Sequence, residues 1–258
     1  MIAMQRLRTW VINLDRAPER WASISTQLQR LGLPYERLPA VDARAFTPEQ
    51  RAQLDEPAFR RLHGMTPLPG ELGCYLSHVE AMRRHLASDA EFALVLEDDV
   101  QVTERLPAAL QGLMAHADRW DMVKLSAVHS GTPQPYLEVA TGQWLAVMLS
   151  RCTGSSAYLM NRRAAAAYAA GLLPMQLPYD HVFDQGWRFG IQVRLLTPTP
   201  CVHDEGTPST IGSPGIGPSR KFHWTKRLST HAYRLRNESR RLAYGLAETW
   251  RERRAGSR

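Results

Sequence analysis

The sequence predicts an α/β domain, a mostly parallel sheet flanked by helices, followed by a basic amphipathic helical tail. Three observations predict it. Short apolar runs alternate with stretches of helical periodicity through residues 9–196, the pattern of strands and helices laid down in turn. One run, "FALVLEDDVQV" (92–102), is aliphatic enough to be buried on both faces, as parallel strands are, and it meets three consecutive carboxylates at Glu97, Asp98 and Asp99. Charge is also uneven: of the formal +7, residues 220–258 contribute twelve Lys and Arg against three Asp and Glu, a net of +9, leaving −2 for the rest. We therefore divide the chain into a body, 1–219, and a tail, 220–258.

The elements follow in order. "TWVINLD" (9–15) reads as a first strand, and the next stretch as a helix, with Pro18 in its first turn and Trp21, Ile24, Leu28 and Leu31 at helical spacing. "YERLPAVDAR" (35–44) is a second strand running into a loop, which completes a βαβ opening. After a proline-punctuated segment, Leu72, Tyr75, Leu76, Val79, Met82 and Leu86 form one stripe of a long helix over 68–87. Ser77 and Glu80 have capping-box spacing, but the stripe begins before them, so the longer helix is preferred. The acidic strand comes next, then a helix and strands at 121–126, 143–150 and 155–160. A helix at about 161–170, a short helix within "YDHVFDQGWRFG" and a last strand at 191–196 complete the body. "GTPSTIGSPGIGPS" (206–219) is a linker by composition.

Bulk properties exclude several classes. Three cysteines, far apart and without a CxxC pair, argue against a disulfide framework or a structural zinc site and fit a reducing compartment. No apolar run approaches the roughly 20 residues that span a bilayer, and the N-terminus lacks a secretory pattern, so the expectation is a cytoplasmic protein. No P-loop, Gly-x-Gly-x-x-Gly or metalloprotease motif is present.

Carboxylates at the end of a buried strand repel one another and call for a positive partner. Open α/β sheets bind ligands beyond the carboxyl ends of their strands, and hard oxygen ligands there suit Mg²⁺ or Mn²⁺ completed by substrate phosphates. A solvated turn is the plainer reading of the three residues alone.

Taken with the acidic strand, "VINLDRAPER", "AVDAR", "GELGCYLSH", "GSSAYLM" and "LPYD" occur in an order that resembles glycosyltransferase family 25, over about residues 9–211. The resemblance implies a GT-A fold, a UDP-sugar donor such as UDP-galactose, a divalent metal, inversion of the anomeric centre and a glycan acceptor of the lipooligosaccharide kind. It maps the acidic motif onto Glu97, Asp98 and Asp99, with Asp99 and then Glu97 as metal ligands and Asp98 toward ribose or water. It places Asn13, Asp15, Arg16 and Arg20 at the nucleotide-sugar pocket, where an Arg can pair with phosphate or stack on a base; the alternative for either Arg is a loop and helix start with routine surface charge. Asp42 would accept from uridine, with Ala43 standing where the family commonly has Gly. Ser77 and His78 would contact the donor, and Cys74 would be packing. Asp180 matches the family's Pro-Val-Asp segment, with Tyr179 in place of Val, and is the candidate general base. Its alternative role is a helix N-cap, and Asp184 is the substitute base. His203, after the last strand, is a third candidate metal ligand; Asp204 and Glu205 beside it could do the same, or all three could be exposed loop residues.

Two rivals remain: another metal-dependent nucleotide-handling enzyme such as a nucleotidyltransferase, and a family-like body without catalysis that serves as a binding or scaffold protein. In the tail, Trp224, Leu228, Ala232, Leu235, Leu242, Leu246 and Trp250 share one helical face, and the remaining faces are basic. Such a helix suits peripheral contact with an anionic membrane, on the inner face of the cell membrane where a lipid-linked acceptor would lie. The alternative is that the stripe packs on the body or on a partner, with the arginines only its solvated face. No nucleic-acid motif accompanies the charge.

Overall fold

The computed structural model describes residues 6–203 and 221–256. The linker at 206–219 lies outside them, as do Asp204 and Glu205. β1 (Leu7–Asn13), α1 (Pro18–Arg30) and β2 (Glu36–Pro39) form the expected βαβ unit, β1 and β2 pairing in parallel. Two short helices, α2 (Pro48–Arg51) and α3 (Glu56–His63), fill the proline-punctuated segment. α4 (Pro69–Ala87) is the long helix, unbroken at Ser77, and it leads into β3 (Phe92–Glu97). β4 (Val100–Val102), α5 (Leu106–Ala115), β5 (Met122–Lys124) and β6 (His129–Ser130) follow, then the hairpin of β7 (Pro133–Ala140) and β8 (Gln143–Met148). β9 (Cys152–Thr153), β10 (Ala157–Asn161) and α6 (Arg162–Gly171) precede two single-turn helices, α7 (Tyr179–Val182) and α8 (Gly186–Phe189). β11 (Val193–Thr197), β12 (Cys201–His203) and α9 (Leu228–Gly256) complete the described chain.

The central sheet has the order β2-β1-β3-β10-β5-β11-β8-β7. Its pairings leave six of the eight strands pointing one way, with β10 and β8 reversed. This is the mostly parallel α/β sheet that the alternation predicts, and it is consistent with a GT-A-like fold. Because successive side chains of a strand face opposite ways, β3 feeds both sides of the sheet. Ala93 and Val95 join a core with Tyr75, Val79, Met82 and Tyr158 under α4, while Phe92, Leu94 and Leu96 join Ile24, Leu28, Leu110 and Leu113 under α1 and α5. Double-sided burial explains why "FALVL" carries no polar residue.

The acidic run is not one strand. β3 stops at Glu97, the chain turns at Asp98 and Asp99, and β4 leaves the main sheet to pair antiparallel with β12, Val100 opposite His203. The turn is thereby set at the carboxyl edge, between the end of β1 and the residues that enter β10: Ile12 is registered with Glu97, and the Glu97 N–H donates to the Ser156 carbonyl at 2.8 Å.

The tail helix is laid on the body the opposite way round from an ordinary amphipathic helix. Its inward face is polar, with Thr230, Asn237, Arg241, Glu248 and Glu252 buried. Arg194 of β11, fully buried, donates to Glu248 at 2.7 Å and to Glu252 at 2.9 Å, and Arg241 donates to buried Asp184 at 2.6 Å. Gly245 permits close contact, since a Cβ there would meet the Met148 carbonyl at 2.8 Å. The apolar stripe faces away: Leu228, Leu235, Leu242, Leu246 and Trp250 are all exposed, Leu235 to 73%. The alternative in which that stripe packs on the body is therefore excluded. Arg194→Met should leave buried Glu248 with only Arg251 and buried Glu252 with only Arg119, and destabilise the protein by about 3 kcal/mol. Urea denaturation checks it, and the double change with Glu248→Gln should recover part of the loss.

Candidate active site

Glu97, Asp98 and Asp99 line one hollow together with Arg16, Arg20, Ser77 and His78. Each is positioned by its element. α4 starts where the Glu71 carboxylate accepts the Leu68 N–H at 2.7 Å. It lies against the loop after β2 so closely that a Cβ on Gly73 would meet the Val41 carbonyl at 2.6 Å. The room at Gly73 is thus taken by backbone, while Gly70 does line the hollow. The same contact lets the Ser77 hydroxyl accept the Val41 N–H at 2.9 Å and donate to the Gly73 carbonyl at 2.7 Å. Ser77 braces the loop in addition to facing the hollow.

The positive partner that the carboxylates require is Arg20. From α1 its Nη1 lies 3.2 Å from Asp98 and 3.7 Å from Asp99. Asn13 donates to Asp98 at 2.6 Å and accepts from Arg37 at 2.8 Å, so it acts on the turn from behind the hollow. Burial is the largest influence on Asp98 and raises its pKa, against hydrogen bonds from Asn13 and the charge of Arg20. Glu97 Oε1 lies 3.2 Å from His78 Nε2 and 3.2 Å from the Ser155 hydroxyl, which donates to it. His78 is stacked on Tyr179 at 4.2 Å with the rings nearly parallel, and its Nδ1 meets the Tyr158 hydroxyl at 3.1 Å.

A second hollow adjoins the first and shares Cys74 and Glu97 with it; Gly154, Ser155, Tyr179 and Asp180 also line it. Asp180 is the second residue of α7, whose N-cap is Pro178, so the N-cap alternative falls. Burial raises its pKa first, opposed by Lys124 and by a hydrogen bond from the Gly154 backbone. Asp184 is excluded as a substitute: it is buried, bound by Arg241 at 2.6 Å and by the Cys152 N–H at 3.0 Å.

Three further expectations are revised. Asp15 is largely exposed and pairs with Arg37 at 2.7 Å, outside the hollow that its neighbours Leu14 and Arg16 line. Asp42 caps a turn by accepting the Arg44 N–H at 3.0 Å; Arg44, then Arg16 at 3.3 Å, pull its pKa down against burial. Cys74 is a lining residue of both hollows rather than packing, with a thiol that burial keeps protonated. The strand bearing His203 ends opposite Val100, next to the acidic turn; its side chain lies outside the described residues. The contacts of Ser155, Tyr158 and Tyr179 with the acidic turn and its histidine are not legible in the sequence, because ring stacking is set by tertiary packing; the motifs "GSSAYLM" and "LPYD" contain the residues but not their contacts.

Glu97 and Asp99 offer carboxylate oxygens of the kind a hard divalent cation takes; Cys74, His78 and Glu97 place one ligand atom each within 4.8 Å of one another, a possible metal site whose sulfur and nitrogen donors select no hard cation. The protonated thiol is a poor ligand in that trio.

Comparison with known proteins agrees with the geometry. The chain is 31% identical over 121 residues to a glycosyltransferase 25 family member of Aedes aegypti, covering 44% of this chain and 20% of the relative. It is 27% identical over 134 residues to procollagen galactosyltransferase 2 of Homo sapiens, covering 49% and 21%. An inactive glycosyltransferase 25 family member 3 of Mus musculus matches at 27% over 124 residues, covering 45% and 21%. The chain thus spans about a fifth of the length of these relatives. The family model described as glycosyltransferase family 25 (LPS biosynthesis protein) matches residues 6–183, from the first strand through α7 and so across both hollows, and the chain belongs to that family.

Proposed function

We propose that the protein is an inverting, metal-dependent glycosyltransferase that moves a hexose, galactose in our reading, from a UDP-sugar to a glycan acceptor of the lipooligosaccharide kind. The observation that supports it best is the pair of adjoining hollows meeting at Glu97, one lined by arginines and carboxylates and the other holding Asp180. Arg16 and Arg20 suit a diphosphate, Ser77 and His78 the donor's sugar side, and Asp42, beside the hollow, the uridine. Asp99 and Glu97 would hold Mn²⁺ or Mg²⁺, with His203 as the further candidate, and a cation bound there supplies Lewis-acid stabilisation of charge on the leaving diphosphate. Arg20 must then share or release Asp98 and Asp99 as the donor phosphates arrive. Asp180, across from the donor hollow, is suited to take the proton of the acceptor hydroxyl; its raised pKa makes it a better base than an exposed Asp. Calorimetric titration with UDP, GDP and ADP in the presence of Mn²⁺ tests the donor half. Selective UDP binding that chelator abolishes is expected, and equal binding of all three would contradict the assignment.

The exposed stripe of α9 bears on the acceptor. Arg236, Arg240 and Arg254 are exposed along one flank of Leu228, Leu235, Leu242, Leu246 and Trp250, a pairing of apolar and cationic surface that suits an anionic membrane. No helix among the described residues is long and apolar enough to cross a membrane. We read the protein as a peripheral enzyme on the cytoplasmic face. It should sediment with anionic vesicles at low salt and less at high salt, since ionic screening weakens the arginines while apolar contact persists. Leu235→Glu with Leu242→Glu should abolish sedimentation, and unchanged sedimentation would exclude the stripe.

A further inference from the structure

A third hollow lies where α9 meets the body, behind α7. His63 of α3, His181 of α7, Arg151 from the loop after β8 and Arg234 of α9 line it. One carboxylate, Glu238, shares the lining with them. Arg234 makes no hydrogen bond or ion pair among the described residues, and Arg151 has a single contact, Nη1 at 3.4 Å from His181 Nε2. Arg227, close behind, has a buried Nε with no partner. His63 is 8% exposed, its ring 5.0 Å from that of His181, and its Nδ1 has no hydrogen-bond partner.

Two acids are near, and neither neutralises the group. Asp180 lies 4.0 Å from His181 and faces the second hollow, while Glu238 lines this one but is paired with Arg241 at 3.4 Å. Burial, together with the neighbouring cations, pushes His63 down to about 4 and His181 down to about 3, so both imidazoles are neutral at pH 7. Burial and the charges of Arg227 and Arg151 also lower the pKa of Arg234. Two guanidinium groups in the lining and a third beside them, with the lining carboxylate Glu238 paired to Arg241, cost stability unless an anion joins them. Guanidinium forks and imidazole N–H groups are the donors that phosphate and carboxylate oxygens prefer.

We propose that this hollow is an oxyanion site, filled by the phosphate or carboxylate group of an acidic sugar or by free phosphate. Its place behind Asp180 makes an acidic residue of the acceptor the natural source, a point that rests on the transferase reading; the binding itself does not.

The test is the thermal shift of the full chain with inorganic phosphate, glucose 6-phosphate, glucuronate and glucose at constant ionic strength. Wild type should show a saturable rise in Tm with the anions and none with glucose. Arg234→Gln should start at a higher Tm, because like charge is relieved, yet bind at least tenfold more weakly; Arg151→Gln should show the same weakening. In NMR, phosphate should raise the titration midpoints of His63 and His181. Tighter binding of glucuronate or glucose 6-phosphate than of inorganic phosphate assigns the site to an acidic sugar, and the reverse order assigns it to free phosphate; either order supports the site. No anion-dependent shift in wild type would overturn the proposal. So would a shift that survives in both variants but is lost in Arg20→Ala, which would place the anion in the donor hollow. Neither result would touch the transferase reading, which stands on nucleotide binding.

Discussion

Asp99→Asn is expected to lower turnover by roughly 10²-fold or more while leaving the protein folded. Asp99 is one of the two carboxylates assigned to the cation, and the amide cannot replace its charge. The sign of the stability effect differs from that of the activity effect. Three carboxylates crowd one turn with Arg20 3.2 Å from Asp98 and 3.7 Å from Asp99, so removing a charge relieves repulsion, and Tm without metal should stay level or rise. Two measurements separate the effects: calorimetric Mn²⁺ binding should weaken, while far-UV circular dichroism should match wild type. Full metal-dependent turnover in the variant would remove Asp99 from the site.

Asp180→Asn should also cost roughly 10²-fold or more in turnover, but for a different reason and with a different signature. A general base acts on the acceptor hydroxyl, so UDP affinity should stay close to wild type. The active form is the carboxylate. Because burial raises the Asp180 pKa above its ordinary value, the wild-type rate should fall as pH drops through that raised value. The acid limb should vanish in the Asn variant. Loss of UDP binding in step with turnover would instead assign Asp180 to the donor hollow.

How far the sequence discloses this arrangement depends on what holds each part. β1, α1, β2 and α4 are legible because their apolar positions recur at the period of the element, and α4 is unbroken because its stripe, not the Ser77–Glu80 spacing, decides its length. β7 is not legible: it lies at the sheet edge, carries Pro133 and Pro135 and is only partly buried, so it lacks the apolar alternation of a central strand. The acidic residues are legible as the end of β3, but the departure of β4 is not, because the run after them is apolar again and only pairing with β12 pulls β4 out of the main sheet. Asp15 and Arg37 show the same limit in the site: the motif locates the loop, but an ion pair formed across β1 and β2 decides which side chain faces the hollow. The tail reverses the usual rule that the apolar face packs inward. Buried Arg194 and Asp184 need partners from α9, and those pairs orient the helix.

The central claim is that the acidic turn and the two adjoining hollows transfer a hexose from a nucleotide sugar with the help of a divalent cation. Release of free nucleotide and of sugar from a panel of UDP-, GDP- and CMP-sugars, with Mn²⁺ and then with excess chelator, tests it most directly. Release of UDP from a UDP-hexose is expected, accelerated by a glycan acceptor and lost with chelator and in Asp99→Asn. Turnover that persists in chelator and in Asp99→Asn, or release of pyrophosphate in place of UDP, would contradict it.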